Sequence, residues 1–158
     1  MHLLERDACL GNLAKWLAMA VERAGCVVLL AGEAGIGKTV LLREFAQQQR
    51  AARVLWGACD ALFTPRPLGP LHDIASQTQG KLLETINAHG SPAALFAAAL
   101  TELQRAQALL VFEDMHWADE ATLDLLTFLG RRIDRTRTLL VVSYRDDESG
   151  SSVIRYGS

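Results

Sequence analysis

The sequence predicts an α/β protein with a mainly parallel sheet between two helical layers. Three observations lead there. Short, continuous apolar runs of the buried-strand kind recur at Cys26–Ala31, Leu109–Phe112 and Thr138–Ser143, with a shorter one at Val54–Trp56. Segments with helical apolar spacing lie between them, and alternation of this kind implies right-handed crossovers and a sheet covered on both faces. The length of 158 residues suits one ordinary domain, and half the residues are hydrophobic.

The elements follow in order. From about residue 7 to residue 24, Leu10, Leu13, Trp16, Leu17 and Ala20 recur at three- and four-residue steps, and Gly25 stops the helix they define. The run CVVLLA enters a glycine-rich loop, and VLLREFAQQQR resumes helical spacing through Val40, Leu41, Leu42 and Phe45. After the strand at Val54–Trp56 comes a proline-bearing loop. Its Pro65, Pro67 and Pro70 stiffen the chain and open a helix, LGPLHDIASQTQ, with Cys59 expected buried nearby. A further helix spans SPAALFAAALTELQRA, with Ser91 as cap and Pro92 at its first position. Asp119 can cap the helix running to Ile133. Residues 1–146 thus form the core, and the polar DESGSSVIRYGS end (147–158) is expected to be poorly ordered.

Charge and cysteine usage exclude several functions. Sixteen Lys and Arg against eighteen Asp and Glu give a net charge of -2, which does not describe a nucleic-acid surface. Cys9, Cys26 and Cys59 are odd in number and form no C-x-x-C pair, so neither a disulfide framework nor a zinc knuckle is indicated. No signal peptide or apolar run long enough to span a bilayer is present, so the expected location is the cytoplasm and no membrane partner is expected.

The chemistry concentrates in Gly32-Glu33-Ala34-Gly35-Ile36-Gly37-Lys38-Thr39, which matches the phosphate-loop pattern G-x-x-x-x-G-K-[ST] between a strand and a helix that opens on Val40. Glycines allow successive N–H groups to turn around a phosphate, and the helix directs its positive end to the same point. Lys38 would reach the β- and γ-phosphates, and the Thr39 hydroxyl would help hold Mg²⁺. Such a loop needs an acid at the end of a neighbouring strand, and ALLVFED supplies Glu113 and Asp114. One would face the metal and the other polarise water. Their order, Glu before Asp, reverses the common one and leaves the division of labour open. Arg145 ends the strand LLVVSYR on the side where ligands bind and could sense a γ-phosphate.

Taken together, LLERDACLGNL, GEAGIGKT, WGACDALFTPRPLGPLHDIA, LLVFEDMHWADEATLDLL and LLVVSYRDDE resemble the ATPase module of large ATP-binding LuxR-type transcriptional regulators, signal-transduction (STAND) NTPases within the AAA+ class. The resemblance covers about residues 3–148. It implies a three-layer P-loop fold of the AAA+/ASCE kind, with ATP or ADP and Mg²⁺ as ligands. Its expected activity is slow ATP hydrolysis in a nucleotide switch, with self-association through this module. DNA contact would belong to another part of such a regulator. By the same resemblance Val40 completes the nucleotide contacts, Arg145 is the first sensor, and Arg6 lies near the base or phosphates, although Glu5 and Cys9 depart from the pattern around it. His116 couples the γ-phosphate to the next helix or is a structural residue of its turn; Trp117 is a packing anchor.

The family continues past the sensor arginine with a last strand, a helical lid and a DNA-binding domain. Their absence here gives the expectation of a truncated product with an open sheet edge, weak ATP affinity and marginal stability. Two other functions compete: an inert fragment serving as an interaction module, and a small-molecule phosphotransferase. The latter would need lid arginines, for which only Arg131, Arg132, Arg135 and Arg137 are on offer. A GTPase is disfavoured because no N-K-x-D-like segment is found.

Overall fold

A computed structural model describes residues 3–32, 37–50, 52–60, 66–146 and 152–156. In chain order these form α1 (Leu3–Glu22), β1 (Cys26–Gly32), α2 (Lys38–Gln47), β2 (Arg53–Ala58), α3 (Gly69–Thr78), α4 (Gly80–Asn87), α5 (Pro92–Arg105), β3 (Ala108–Glu113), α6 (Glu120–Arg132), β4 (Thr138–Arg145) and β5 (Ser152–Tyr156). Single 3₁₀ turns at Met115–Trp117 and Ile133–Arg135 bracket α6.

The sheet order is β2-β3-β4-β1-β5. The first four strands are mutually parallel, as the alternation of strand and helix requires, and β5 runs antiparallel to β1. Every residue of β3 is buried, which is why its sequence reads as an unbroken apolar run instead of an alternating one. Alternate residues still serve different faces. Leu109 and Val111 join Val28, Leu30, Leu139 and Val141 beneath Leu13, Leu17, Leu41, Leu42 and Phe45 of α1 and α2. Leu110 and Phe112 join Leu140 and Val142 beneath Leu71, Ile74, Leu103, Leu125 and Leu129 of α3, α5 and α6. Each fully buried leucine of this kind contributes about 1.5–3 kcal/mol.

Local signals place most boundaries. The Ser91 hydroxyl accepts from the Ala94 N–H at 3.2 Å, with Pro92 next in line, and the Asp119 carboxylate accepts from the Thr122 N–H at 3.3 Å. Gly57 lets β2 approach α3, because a Cβ there would lie 2.6 Å from the Pro70 carbonyl oxygen. No helix among the described residues is long and apolar enough to cross a membrane.

Three features differ from expectation. The first helix begins earlier than its apolar pattern suggests, at Leu3. The segment after Gln79 forms α4, a short helix that buries Leu82. The polar end expected to lack regular structure contributes β5 over Ser152–Tyr156, so β1 is a paired strand and not an open edge. Backbone pairing of Val27–Ala31 with Ser152–Tyr156 orders that segment where its own composition does not.

Candidate functional site

Parallel strands bring their carboxyl ends to one rim of the sheet, and β1, β3 and β4 end there at Gly32, Glu113 and Arg145. Gly32 pairs in register with Arg145. Its carbonyl accepts from the Asp146 N–H at 3.0 Å and from Lys38 Nζ at 2.7 Å. The root of the glycine loop, the lysine and the end of β4 are therefore tied together. Gly37, at φ 88°, turns the chain into α2 through the left-handed region that favours glycine, and α2 opens on Lys38 and Thr39. Glu33, Ala34, Gly35 and Ile36 lie outside the described residues.

Glu113 is buried, and both of its oxygens have partners. The Thr39 hydroxyl donates to Oε1, and the Trp56 indole Nε1–H donates to Oε2 at 2.9 Å. Asp114 follows at φ 59°, with its N–H donating to Ser143 Oγ at 3.2 Å. That kink sends successive acids different ways: Glu113 lies against Thr39, whereas Asp114 lines the adjoining cavity. Burial and the neighbouring Glu113 charge hold the Asp114 carboxyl above its ordinary range, opposed by His116 and Lys38.

The cavity measures about 470 Å³, and its described lining is Gly37, Lys38, Thr39, Val40, Asp114, His116, Trp117 and Arg145. His116 Nδ1 accepts from the Arg145 N–H at 3.1 Å, which joins the turn after β3 to the end of β4. Trp117 is 46% exposed with its ring 5.2 Å from that of His116, so it borders the cavity and is not the packing anchor its size suggests. Val40 is 56% exposed on the same rim. Arg6 is not among the described lining; it ion-pairs instead with Glu44 of α2.

Trp56, Ser143 and His116 thus position the motif residues although no short pattern names the first two. A buried strand ending in a polar residue at Ser143 was the one available signal. Cys59 is buried beside Met115, and burial together with Asp119, Asp114, Asp60 and Asp73 pushes its thiol up to about 11, which disfavours the thiolate. No cluster of three His, Cys, Asp or Glu groups suited to a metal occurs among the described residues. A divalent cation would therefore draw its other ligands from water and phosphate, as Mg²⁺ at such sites does.

The sequence matches the family described as AAA ATPase domain over residues 2–142. The chain belongs to that family. No curated protein matches it. As an AAA ATPase domain it is similar in structure to the Aeropyrum pernix Orc1 protein, solved in complex with DNA (TM-score 0.59, 19% identity, covering 89% of this chain and 39% of that one). It is similar also to a chain of Drosophila ORC bound to DNA (TM-score 0.58, 16% identity, covering 91% and 79%). The third likeness is to C. elegans PCH-2 (TM-score 0.54, 12% identity, covering 91% and 38%). Likeness at these identities establishes the AAA ATPase fold, and this chain spans under two-fifths of the PCH-2 and Orc1 chains.

Proposed function

We propose that this domain binds ATP, hydrolyses it slowly in the presence of Mg²⁺, and serves as the nucleotide switch of a LuxR-type transcriptional regulator. The observation that carries the biochemical part is the convergence of Lys38, Thr39, Asp114 and Arg145 on one cavity, with Glu113 fixed behind Thr39. The regulatory part rests on the sequence resemblance alone.

Lys38 exchanges its Gly32 carbonyl partner for the β- and γ-phosphates, while N–H groups at the start of α2 face the same charge. Thr39 and Glu113 fit a hydrated Mg²⁺, since a hydroxyl and a carboxylate are already in contact there. Bound Mg²⁺ would neutralise charge that develops on the phosphate oxygens. Asp114 is then the carboxylate left to orient water and accept its proton as the water oxygen bonds to the γ-phosphorus and the bridging oxygen leaves with ADP. Arg145 stands on the rim to meet the γ-phosphate, its main chain steadied by His116.

The phosphotransferase alternative loses support from the placement of two of its arginines. Arg137 precedes β4 and Arg145 ends it, so Arg135 and Arg137 lie roughly 26 Å from the loop, at the opposite end of the sheet. Thermal unfolding with and without Mg-ATP tests the reading: a clear rise in midpoint that Lys38→Ala abolishes is expected. An equal rise in the variant, or no rise in the parent chain, would leave the interaction-module reading standing.

A further inference from the structure

We propose that the basin at the amino-terminal ends of the strands is a second anion site, which takes a compact, multiply charged ligand of the polyphosphate class. It is a concavity of about 690 Å³, larger than the cavity beside Lys38, and Arg23, Arg53, Arg105, Arg135 and Arg137 all line it. Asp134 is the one carboxylate in the described lining, and Glu102 holds Arg53 at 2.6 Å and Arg105 at 3.7 Å. Five guanidinium groups against two carboxylates leave an excess of three positive charges around one hollow, in a chain whose net charge is -2.

The arginines come from separate elements that the main chain locks together. The Gly25 N–H donates to the Thr136 carbonyl at 2.8 Å, the Arg53 N–H to that of Gln107 at 3.2 Å, and the Ala108 N–H to that of Arg137 at 3.1 Å. The roots of the side chains are thus fixed before any ligand arrives, which limits the ordering that binding must impose. Arg53 is the innermost of the cluster. Glu102 engages both of its terminal nitrogens, yet its buried Nε–H meets no acceptor among the described residues. Helix ends explain part of the pattern, because Arg105 closes α5 and Arg23 follows α1, where a cation offsets the helix dipole. Arg135 and Arg137 need another reason: α6 already carries Arg131 and Arg132 in its last turn.

The chemistry favours phosphate over other anionic partners. Guanidinium forks match phosphate oxygens pairwise, and several of them suit a ligand with several charges close together. No aromatic side chain is among the described lining, so nothing offers the stacking platform on which single-stranded nucleic acids are held.

The test uses inorganic tripolyphosphate as probe and the Lys38→Ala chain, in which the phosphate loop is disabled. Calorimetry at physiological salt should show one tripolyphosphate bound per chain. Adding Arg135→Gln and Arg137→Gln, both at exposed positions, should weaken binding at least tenfold while circular dichroism stays unchanged. In the otherwise unaltered chain the same pair should leave ATP-induced stabilisation intact and remove one tripolyphosphate from the stoichiometry, a readout that holds even if Lys38→Ala does not fold. No binding beyond the phosphate loop, or binding indifferent to the arginine pair, overturns the proposal. So does tighter, arginine-dependent binding of single-stranded DNA or polyglutamate than of tripolyphosphate.

Discussion

The Trp56 indole donates to Glu113 Oε2 at 2.9 Å, reaching diagonally from β2 to the end of β3. With Thr39 on the other oxygen, the carboxylate is held at both ends. A carboxylate fixed in this way presents a defined charge to a cation, and loss of such outer partners typically costs about 10–100-fold in metal affinity or activity. Trp56→Phe keeps most of the ring and removes the N–H. The expected result is at least a tenfold rise in the Mg²⁺ concentration needed for half-maximal ATP hydrolysis, with Mg-free nucleotide binding unaltered. An unchanged Mg²⁺ dependence would show that Thr39 alone orients Glu113.

That contact also marks where the sequence stops being informative. Lys38, Thr39 and Glu113 are legible because a loop and a strand end are local patterns, and the central strands β3 and β4 are legible because burial on both faces leaves continuous apolar runs. Trp56 is not, since the register that sets Ala58 opposite Glu113 is a property of the folded pair. β5 was missed for a related reason: its order comes from pairing with β1. α4 is only eight residues long with Leu82 as its one fully buried residue, too brief for a helical period to register. The order of the acidic pair leaves its roles open in the sequence; in the fold the left-handed turn at Asp114 sets Glu113 against Thr39 and Asp114 on the cavity.

Asp114 is the group whose ionisation should govern hydrolysis. Asp114→Asn is expected to lower the rate by about 100-fold or more, the usual contribution of a general base, and to preserve ATP-induced thermal stabilisation. Because burial and Glu113 raise its pKa, the acid limb of the rate profile should lie above the ordinary aspartate range. The stability sign runs the other way. Folding disfavours the charged form, so the Asn variant should be the more stable near neutrality, and the difference should shrink as pH falls through the raised pKa. A rate that survives the substitution would remove Asp114 from the chemistry.

Ending the chain after Asp146 removes β5 and unpairs one side of β1 over Val27–Ala31. It also removes Arg155, whose guanidinium lies 3.9 Å from the Met19 sulfur. Each net backbone bond lost costs about 1 kcal/mol, and a bare strand edge invites association. Hydrogen exchange should show the β1 amides that face β5 losing protection while those facing β4 keep theirs. Light scattering should rise on mild heating. Equal protection in both chains would mean that β5 contributes nothing to the edge.

Asp119 joins two segments that the sequence keeps far apart. Its Oδ2 accepts from the N–H groups of Thr122 and Leu68, both at 3.3 Å, and Oδ1 accepts from the Thr122 hydroxyl. Capping residues of this kind are worth about 1–2 kcal/mol, and Leu68, at φ 56° just before α3, loses a partner for its N–H as well. Asp119→Ala should therefore cost about 2 kcal/mol in denaturant unfolding near neutral pH. Burial alone would raise this carboxyl, but the Thr122 and Leu68 bonds outweigh it and hold the pKa below the ordinary aspartate value. A depressed folded-state pKa stabilises the fold above the unfolded-state value, and that stability is lost as pH falls through the folded-state value. The gap between parent and Ala variant should accordingly narrow on acidification below about pH 4. Asp119→Asn, which keeps an acceptor and gives up the charge, should recover part of the stability with a flatter pH response. A gap constant across this range would assign the cost to packing instead of to the ionised cap.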